Sequence, residues 1–277
     1  MPAFEEMTVV LPDGYAAYAR YWSPTQPRGA VLYHHGIQSH CGWYESSAAF
    51  LREAGFAVLQ VDRRGCGRNE QDRSHADSAD QLIHDALTGA AALETRSGMD
   101  GYHVVGVSWG GKLAVSAYVT DHAHVRSLSL VTPGLFPRVG VSKVEKARIG
   151  LAMLYAPKET FDIPLNDAEL FTRDLRWANF IETDPLTLRQ CTAGFFLASR
   201  RMDKMVMKLP TTRPVPVHLI LAEDERIVEN ERTAEFVRRL HWPYCRLTTF
   251  VAARHSLEFE EHSPEYFEDL TAFIAQQ

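Results

Sequence analysis

The apolar positions fall into short runs separated by longer amphipathic stretches. Residues 6–22 form two alternating arms around Pro12-Asp13-Gly14, which predicts a hairpin. From there the pattern changes. Gly29 to His35 is a continuous apolar run that stops at Gly36. A helical stretch over 44–54 follows and is ended by Gly55. Phe56–Val61 is the next run, followed by the glycine-rich loop Asp62-Arg-Arg-Gly-Cys-Gly-Arg-Asn69. A helix over 78–95, a strand over Tyr102–Val107, another helix and a strand over Val125–Val131 continue the alternation. Continuous apolar strands that alternate with helices predict an α/β fold, a mostly parallel sheet covered by helices on both faces.

The alternation stops near residue 135. Residues 135–210 carry helical spacing, mixed aromatics and charges, and Pro157 and Pro164. It then resumes with a strand over 215–222, a helix over 229–240, a strand over 246–251 and a closing helix over 264–276. The expected organisation is a core of residues 1–134 and 211–277, interrupted by a helical cap over 135–210.

Chemistry in such a sheet sits where strands end at their carboxyl edge. At the end of the central run stands Gly106-Val107-Ser108-Trp109-Gly110. A serine between strand and helix, flanked by glycines, has its hydroxyl exposed on a strained turn. Serine needs a base to become a nucleophile, and histidine has the suitable pKa. Of twelve histidines, His255 follows the last strand by a few residues and is the expected base. His34 and His35 precede another loop in a different role, and His122 and His124 fall at the wrong edge. The base needs an acid, and Glu223, Asp224 and Glu225 stand in a row after the preceding strand. The chain order alone leaves open which of the three turns inward. Two backbone N–H groups aimed at one point are needed to hold an oxyanion. Trp109, next to the serine, and Ile37, after Gly36, are the expected donors.

These segments together resemble the α/β-hydrolase superfamily: Gly-Val-Ser-Trp-Gly-Gly, His-His-Gly-Ile-Gln-Ser-His, the glycine loop, Ala-Glu-Asp-Glu-Arg-Ile-Val and Ala-Arg-His-Ser-Leu-Glu-Phe-Glu. Within it the chain is similar to the monoacylglycerol lipase / lysophospholipase branch, of serine aminopeptidase S33 type. The resemblance spans nearly the whole core. It implies an α/β-hydrolase fold with Ser108 as nucleophile and His255 as base. It implies Glu225 as the acid, because Glu225 stands directly before Arg226-Ile-Val, with Asp224 as the fallback. Asn69 replaces the serine usual in the glycine loop. The implied activity is hydrolysis of a lipid-like or other apolar carboxylic ester through an acyl-enzyme. The alternatives are an aminopeptidase, a C–C bond hydrolase or a catalytically silent ligand-binding relative. Neither cofactor nor metal is called for.

Composition narrows the partners. A net charge of −6 argues against nucleic acid. The arginine pairs 63–64, 200–201 and 238–239 are expected on the solvated surface or in local ion pairs. Cys41, Cys66, Cys191 and Cys245 are scattered, which suggests neither a zinc site nor a disulfide framework and fits a reducing cytoplasm. No signal-peptide pattern and no membrane-length apolar run is expected. The insert's Phe136, Leu151, Met153, Leu154, Tyr155, Phe171, Trp177, Phe180, Phe195, Phe196 and Leu197 are the expected source of an acyl pocket. Its Glu169, Asp174, Glu182 and Asp184 are the carboxylates an aminopeptidase would use.

Overall fold

The computed structural model describes residues 4–277; Met1, Pro2 and Ala3, at the start of the expected core, lie outside the described residues. The hairpin forms as β1 (Glu5–Val10) and β2 (Ala16–Trp22), with Gly14 in its turn at φ +84°. The alternating part runs β3 (Gly29–His34), α1 (Glu45–Glu53), β4 (Phe56–Val61), α2 (Ala79–Ser97), β5 (Tyr102–Val107), α3 (Trp109–Thr120) and β6 (Val125–Val131). Residues 143–206 contribute α4 (Lys143–Tyr155), β7 (Thr160–Asp162), α5 (Leu175–Thr183), β8 (Gln190–Thr192) and α6 (Ala193–Val206). The core resumes with β9 (Val217–Ala222), α7 (Asn230–Arg238), β10 (Cys245–Phe250) and α8 (Ser263–Ala275).

Among the described residues, eight strands form one sheet in the order β1-β2-β4-β3-β5-β6-β9-β10. β1 and β2 are antiparallel, to each other and to β4; every later pairing is parallel. The strand period of two divides the core cleanly. Val31, Tyr33, Val58 and Val105 pack with Leu51 of α1 and Leu270 of α8 on one face. Ala30, Leu32, Leu59 and Val104 pack with Leu93 of α2, Val115 of α3 and Val237 of α7 on the other. All residues of β5 and β9 are buried, which is why they read as unbroken apolar runs. β10 lies at the sheet edge, exposes most of its residues and carries Arg246 there.

Local signals set the element ends. Ser78 Oγ accepts the Gln81 N–H at 3.0 Å to cap α2, and Gly98 ends it in the left-handed region at φ +70°. Within the expected helical cap the structure adds a short ribbon: β7 and β8 pair antiparallel, Phe161 opposite Cys191. Three-residue strands are too short to display a period, and this pairing joins segments about thirty residues apart that the sequence does not link. Among the described residues no helix is long and apolar enough to cross a membrane.

A buried carboxyl fastens α8's leading loop to α1. Glu258 Oε1 accepts the Ser47 N–H at 2.9 Å, while Oε2 has no hydrogen-bond partner. Burial pushes this carboxyl up to about 8. A folded-state pKa above the unfolded one favours folding fully below the unfolded value and loses that contribution as pH rises toward 8. Glu258→Gln keeps an acceptor for Ser47 and removes the titration. Its stability should match the wild type near about pH 5 and exceed it at pH 8 by on the order of 3 kcal/mol, read from urea unfolding at both pH values. Parallel stability–pH curves for the two proteins would contradict it.

Candidate active site

Ser108 sits between β5 and α3 with φ +53° and ψ −123°, a conformation rare for a residue with a side chain. The turn is held on both sides. Ser108 N–H donates to Val131 O at 2.9 Å, and Ser108 O accepts from Gly134 N–H at 2.7 Å and Gly111 N–H at 2.9 Å. The turn is also crowded. A Cβ on Gly106 would lie 2.7 Å from Gly110 O, and one on Gly110 would lie 2.3 Å from His34 O and 2.6 Å from His35 O. Glycine is required at both positions because the opposing atoms are backbone.

His255 lies in the loop after β10 and is 2% exposed. Its Nε2 is 2.8 Å from Ser108 Oγ, and its Nδ1 is 2.8 Å from Glu225 Oε2. A carboxylate only accepts, so Nδ1 carries the ring proton and Nε2 is left to accept from the serine hydroxyl. Glu225, in the loop after β9, is buried; its other oxygen accepts the N–H groups of Ile227 at 2.8 Å and Val228 at 3.3 Å. The carboxylate is therefore fixed on both sides. The histidine is fixed too: its carbonyl accepts from Thr132 Oγ1 at 3.0 Å, and the Phe171 ring meets its ring edge-on.

The neighbouring acids point elsewhere. Asp224 accepts from Arg173 at 2.6 Å and from Arg226, and both guanidinium groups hold its carboxyl down to about 2. Glu223 accepts the Ala252 N–H at 2.8 Å. Of the three consecutive acids, Glu225 is the one that reaches His255.

Ile37 and Trp109 both line the cleft beside Ser108. Among the described residues neither backbone N–H donates to a protein acceptor, whereas the Ser108 N–H between strand and helix donates to Val131 O. Trp109 is also the first residue of α3, where the helix dipole is positive. The loop carrying Ile37 is held by Arg63, whose guanidinium donates to Gly36 O at 3.2 Å and Ile37 O at 2.9 Å. The same guanidinium lies 4.6 Å from the Trp109 ring and 4.9 Å from the Phe195 ring. His35 completes the brace. Its Nε2 accepts the Arg63 N–H and its Nδ1 donates to Gly36 O, so the buried ring is neutral, and burial and Arg63 hold it well below the usual histidine range.

Arg63 and Arg64 thus correct the surface expectation for that pair, since both are buried. Arg64 does form local ion pairs, with Asp85 at 2.5 Å and Asp13 at 2.9 Å. The overlooked signal was their place directly after β4, at the edge where the other loops converge. His122 and His124 lie at the opposite edge, half-buried and exposed. Asn69 is buried and ties the glycine loop together, donating to Asp62 O at 2.6 Å and accepting the Tyr18 N–H at 2.8 Å.

A cleft of about 920 Å³ opens at Ser108. Met153, Phe196 and Leu197 line it as expected, joined by Ile149, Ile163 and Leu165. Leu151, Leu154 and Tyr155 do not. They are 60%, 73% and 81% exposed, because α4 turns Ile149, Ala152 and Met153 inward and these three fall on its other side. Phe136 packs on Phe236, Phe195 on Trp109, and Trp177 and Phe180 on Phe259. Glu169, Asp174 and Glu182 are exposed and away from the cleft. Asp184 is spent on His40 at 2.8 Å and Trp43 at 2.9 Å.

The family model described as "Serine aminopeptidase, S33" matches residues 25–262. The monoacylglycerol lipase of Mycolicibacterium smegmatis is 24% identical, over 91% of this chain and 90% of that protein. An uncharacterized Escherichia coli K12 protein, YnbC, is 24% identical over 95% of this chain, which spans 46% of that protein's length. Among solved structures, Paleococcus ferrophilus monoacylglycerol lipase superposes with a TM-score of 0.83 at 19% identity, covering 94% of this chain and 99% of that one. The chain belongs to the serine aminopeptidase S33 family and is a hydrolase of the α/β-hydrolase fold.

Proposed function

We propose that the chain is a serine esterase that cleaves carboxylic esters with an apolar acyl group, of monoacylglycerol or lysophospholipid type, through an acyl-enzyme on Ser108. The observation that carries this is the pair of 2.8 Å contacts that links Glu225, His255 and Ser108 in one line. His255 takes the serine proton as Oγ attacks the ester carbonyl, and Glu225 stabilises the imidazolium that forms. The Ile37 and Trp109 N–H groups hold the oxyanion. The imidazolium then protonates the departing alcohol, and water activated by the same ring releases the acid. The chemistry requires neither metal nor cofactor. Residues 135–210 act as the cap that supplies one wall of the acyl pocket.

A peptidase acting on a free amino terminus needs a carboxylate to hold the amine. Among the described residues the cleft offers Asp203 alone, and Lys112 occupies it at 2.5 Å. That favours the ester. Incubation with a fluorophosphonate probe should label Ser108 in the folded protein, with no labelling of Ser108→Ala. A panel of p-nitrophenyl esters should be turned over well ahead of aminoacyl anilides. An unlabelled serine in folded protein would end the serine-hydrolase interpretation, and faster cleavage of the anilides would end the esterase assignment.

A further inference from the structure

The charge of the cleft is opposite to that of the chain. Acids outnumber bases by six overall. Yet Lys112, Arg138, Lys146, Arg200 and Lys204 line the cleft against Asp203 as the one carboxylate among the described residues. Lys112 stands one helical turn beyond Ser108 on α3 and is buried, with 7% of its side chain exposed. Its Nζ lies 2.5 Å from Asp203 Oδ1 and 3.5 Å from Ser199 Oγ. Arg138 donates to Glu225 O at 3.0 Å. The side chains of Lys146, Arg200 and Lys204 have no hydrogen bond or ion pair among the described residues.

Helix geometry gathers these cations. The inward side of α4 (Ile149, Ala152, Met153) packs with Ala193 and Phe196 at the start of α6. Lys146 lies one turn before Ile149, while Arg200 and Lys204 lie one and two turns beyond Phe196. On the core side, Lys112 meets α6 at Ser199 and Asp203, at the same level. The cleft therefore has an apolar half and a cationic half. Lys146, Arg200 and Lys204 are exposed on the cleft wall, so their summed field steers an entering anion and is open to screening by salt.

Building on the esterase assignment, we infer that the natural substrate is an acyl ester that carries an anion, a carboxylate or a phosphate, held by Arg200, Lys204 and Lys146 while Ser108 attacks the ester. Lys112 neutralises Asp203, which would otherwise repel that anion.

Two matched pairs test this in the full-length protein. The p-nitrophenyl monoester of adipic acid is compared with p-nitrophenyl hexanoate, which places the anion on the acyl side. Lauroyl lysophosphatidic acid is compared with monolauroylglycerol, which places it on the alcohol side. In at least one pair, kcat/KM should favour the anionic member by on the order of tenfold at low salt. The preference should shrink in about 0.5 M NaCl, where the Debye length is about 4 Å. R200Q/K204Q should bring the ratio near one. R238Q/R239Q, which removes the same charge from the end of α7 and the residue after it, outside the cleft lining, should leave the ratio as in the wild type. Ratios near one in both pairs, or a ratio that R200Q/K204Q leaves intact, would overturn the inference. Fluorophosphonate labelling separates the two claims: a labelled protein without anion preference defeats only the anionic substrate, and an unlabelled one defeats the esterase and this inference together.

Discussion

Glu225→Gln should lower kcat on a p-nitrophenyl ester by about 10³–10⁴-fold, while Asp224→Asn stays within about threefold of the wild type. The first effect follows from hydrogen-bond polarity. Ile227 and Val228 N–H both aim at Glu225 Oε1 and demand an acceptor there. A glutamine satisfies them with its carbonyl oxygen and presents its NH₂ to His255. The ring must then accept at Nδ1 and carry its proton on Nε2, facing Ser108. A protonated Nε2 cannot take the serine proton, so the fold survives and the base is lost. Asp224 belongs to another network, with Arg173, Arg226 and Arg254 on a half-exposed surface. Its loss should cost below about 1 kcal/mol of stability. Circular dichroism of both variants, alongside kcat, makes the comparison clean. Full activity in Glu225→Gln with loss in Asp224→Asn would reverse the assignment.

Gly110→Ala should lose on the order of 4 kcal/mol or more of folding stability, or fail to accumulate as folded protein. The added methyl meets His34 O at 2.3 Å and His35 O at 2.6 Å. Neither atom can swing aside, since both are backbone where β3 ends at His34 and passes through His35 into the Ile37 loop. Relief requires α3 to move from the sheet, and α3 is buried along most of its length. Ser108→Gly is the opposite case. It should gain stability, about 1 kcal/mol or more, by relieving a positive φ in a residue with a Cβ, while losing esterase activity. Urea unfolding of the two variants measures both. A Gly110→Ala protein as stable as the wild type would show that the turn is softer than its contacts indicate.

What was legible in the sequence followed the physics of short range. Unbroken apolar runs marked β3, β5 and β9, and the expected helix over 78–95 formed as α2, Ala79–Ser97. Gly106 and Gly110 marked the serine turn because a Cβ there is excluded by backbone, a constraint local to one strand and one helix. Ser108 and His255 were readable because each stands at the end of a strand. The acid was harder: Glu223, Asp224 and Glu225 differ by one residue each. Only the fold decides which rotates inward, through the Ile227 and Val228 N–H groups on one side and arginines on the other. The brace by Arg63 was missed because two adjacent arginines in an acidic chain look solvated. Its partners, Gly36 O, Ile37 O and the Trp109 ring, lie 26 to 46 residues away. The β7–β8 ribbon was missed for the same reason. In α4 the apolar residues were visible, but composition did not tell Met153 from Leu154; the helical period did.

The order in which the loops arrive along the chain has a consequence for synthesis. The Ser108 hydroxyl and its His255 partner are 147 residues apart, and the insert lies between them. During translation the serine turn can close early, since β3, β5 and α3 are already made. The imidazole exists only after β10 has emerged and docked along β9. Under the proposed mechanism the ribosome until then holds a chain whose serine is an ordinary alcohol, harmless to esters around it. Contacts of such long sequence separation also form late and slowly. Refolding should therefore show native-like strand and helix signals before fluorophosphonate reactivity returns, so that chemical competence marks the last event of assembly.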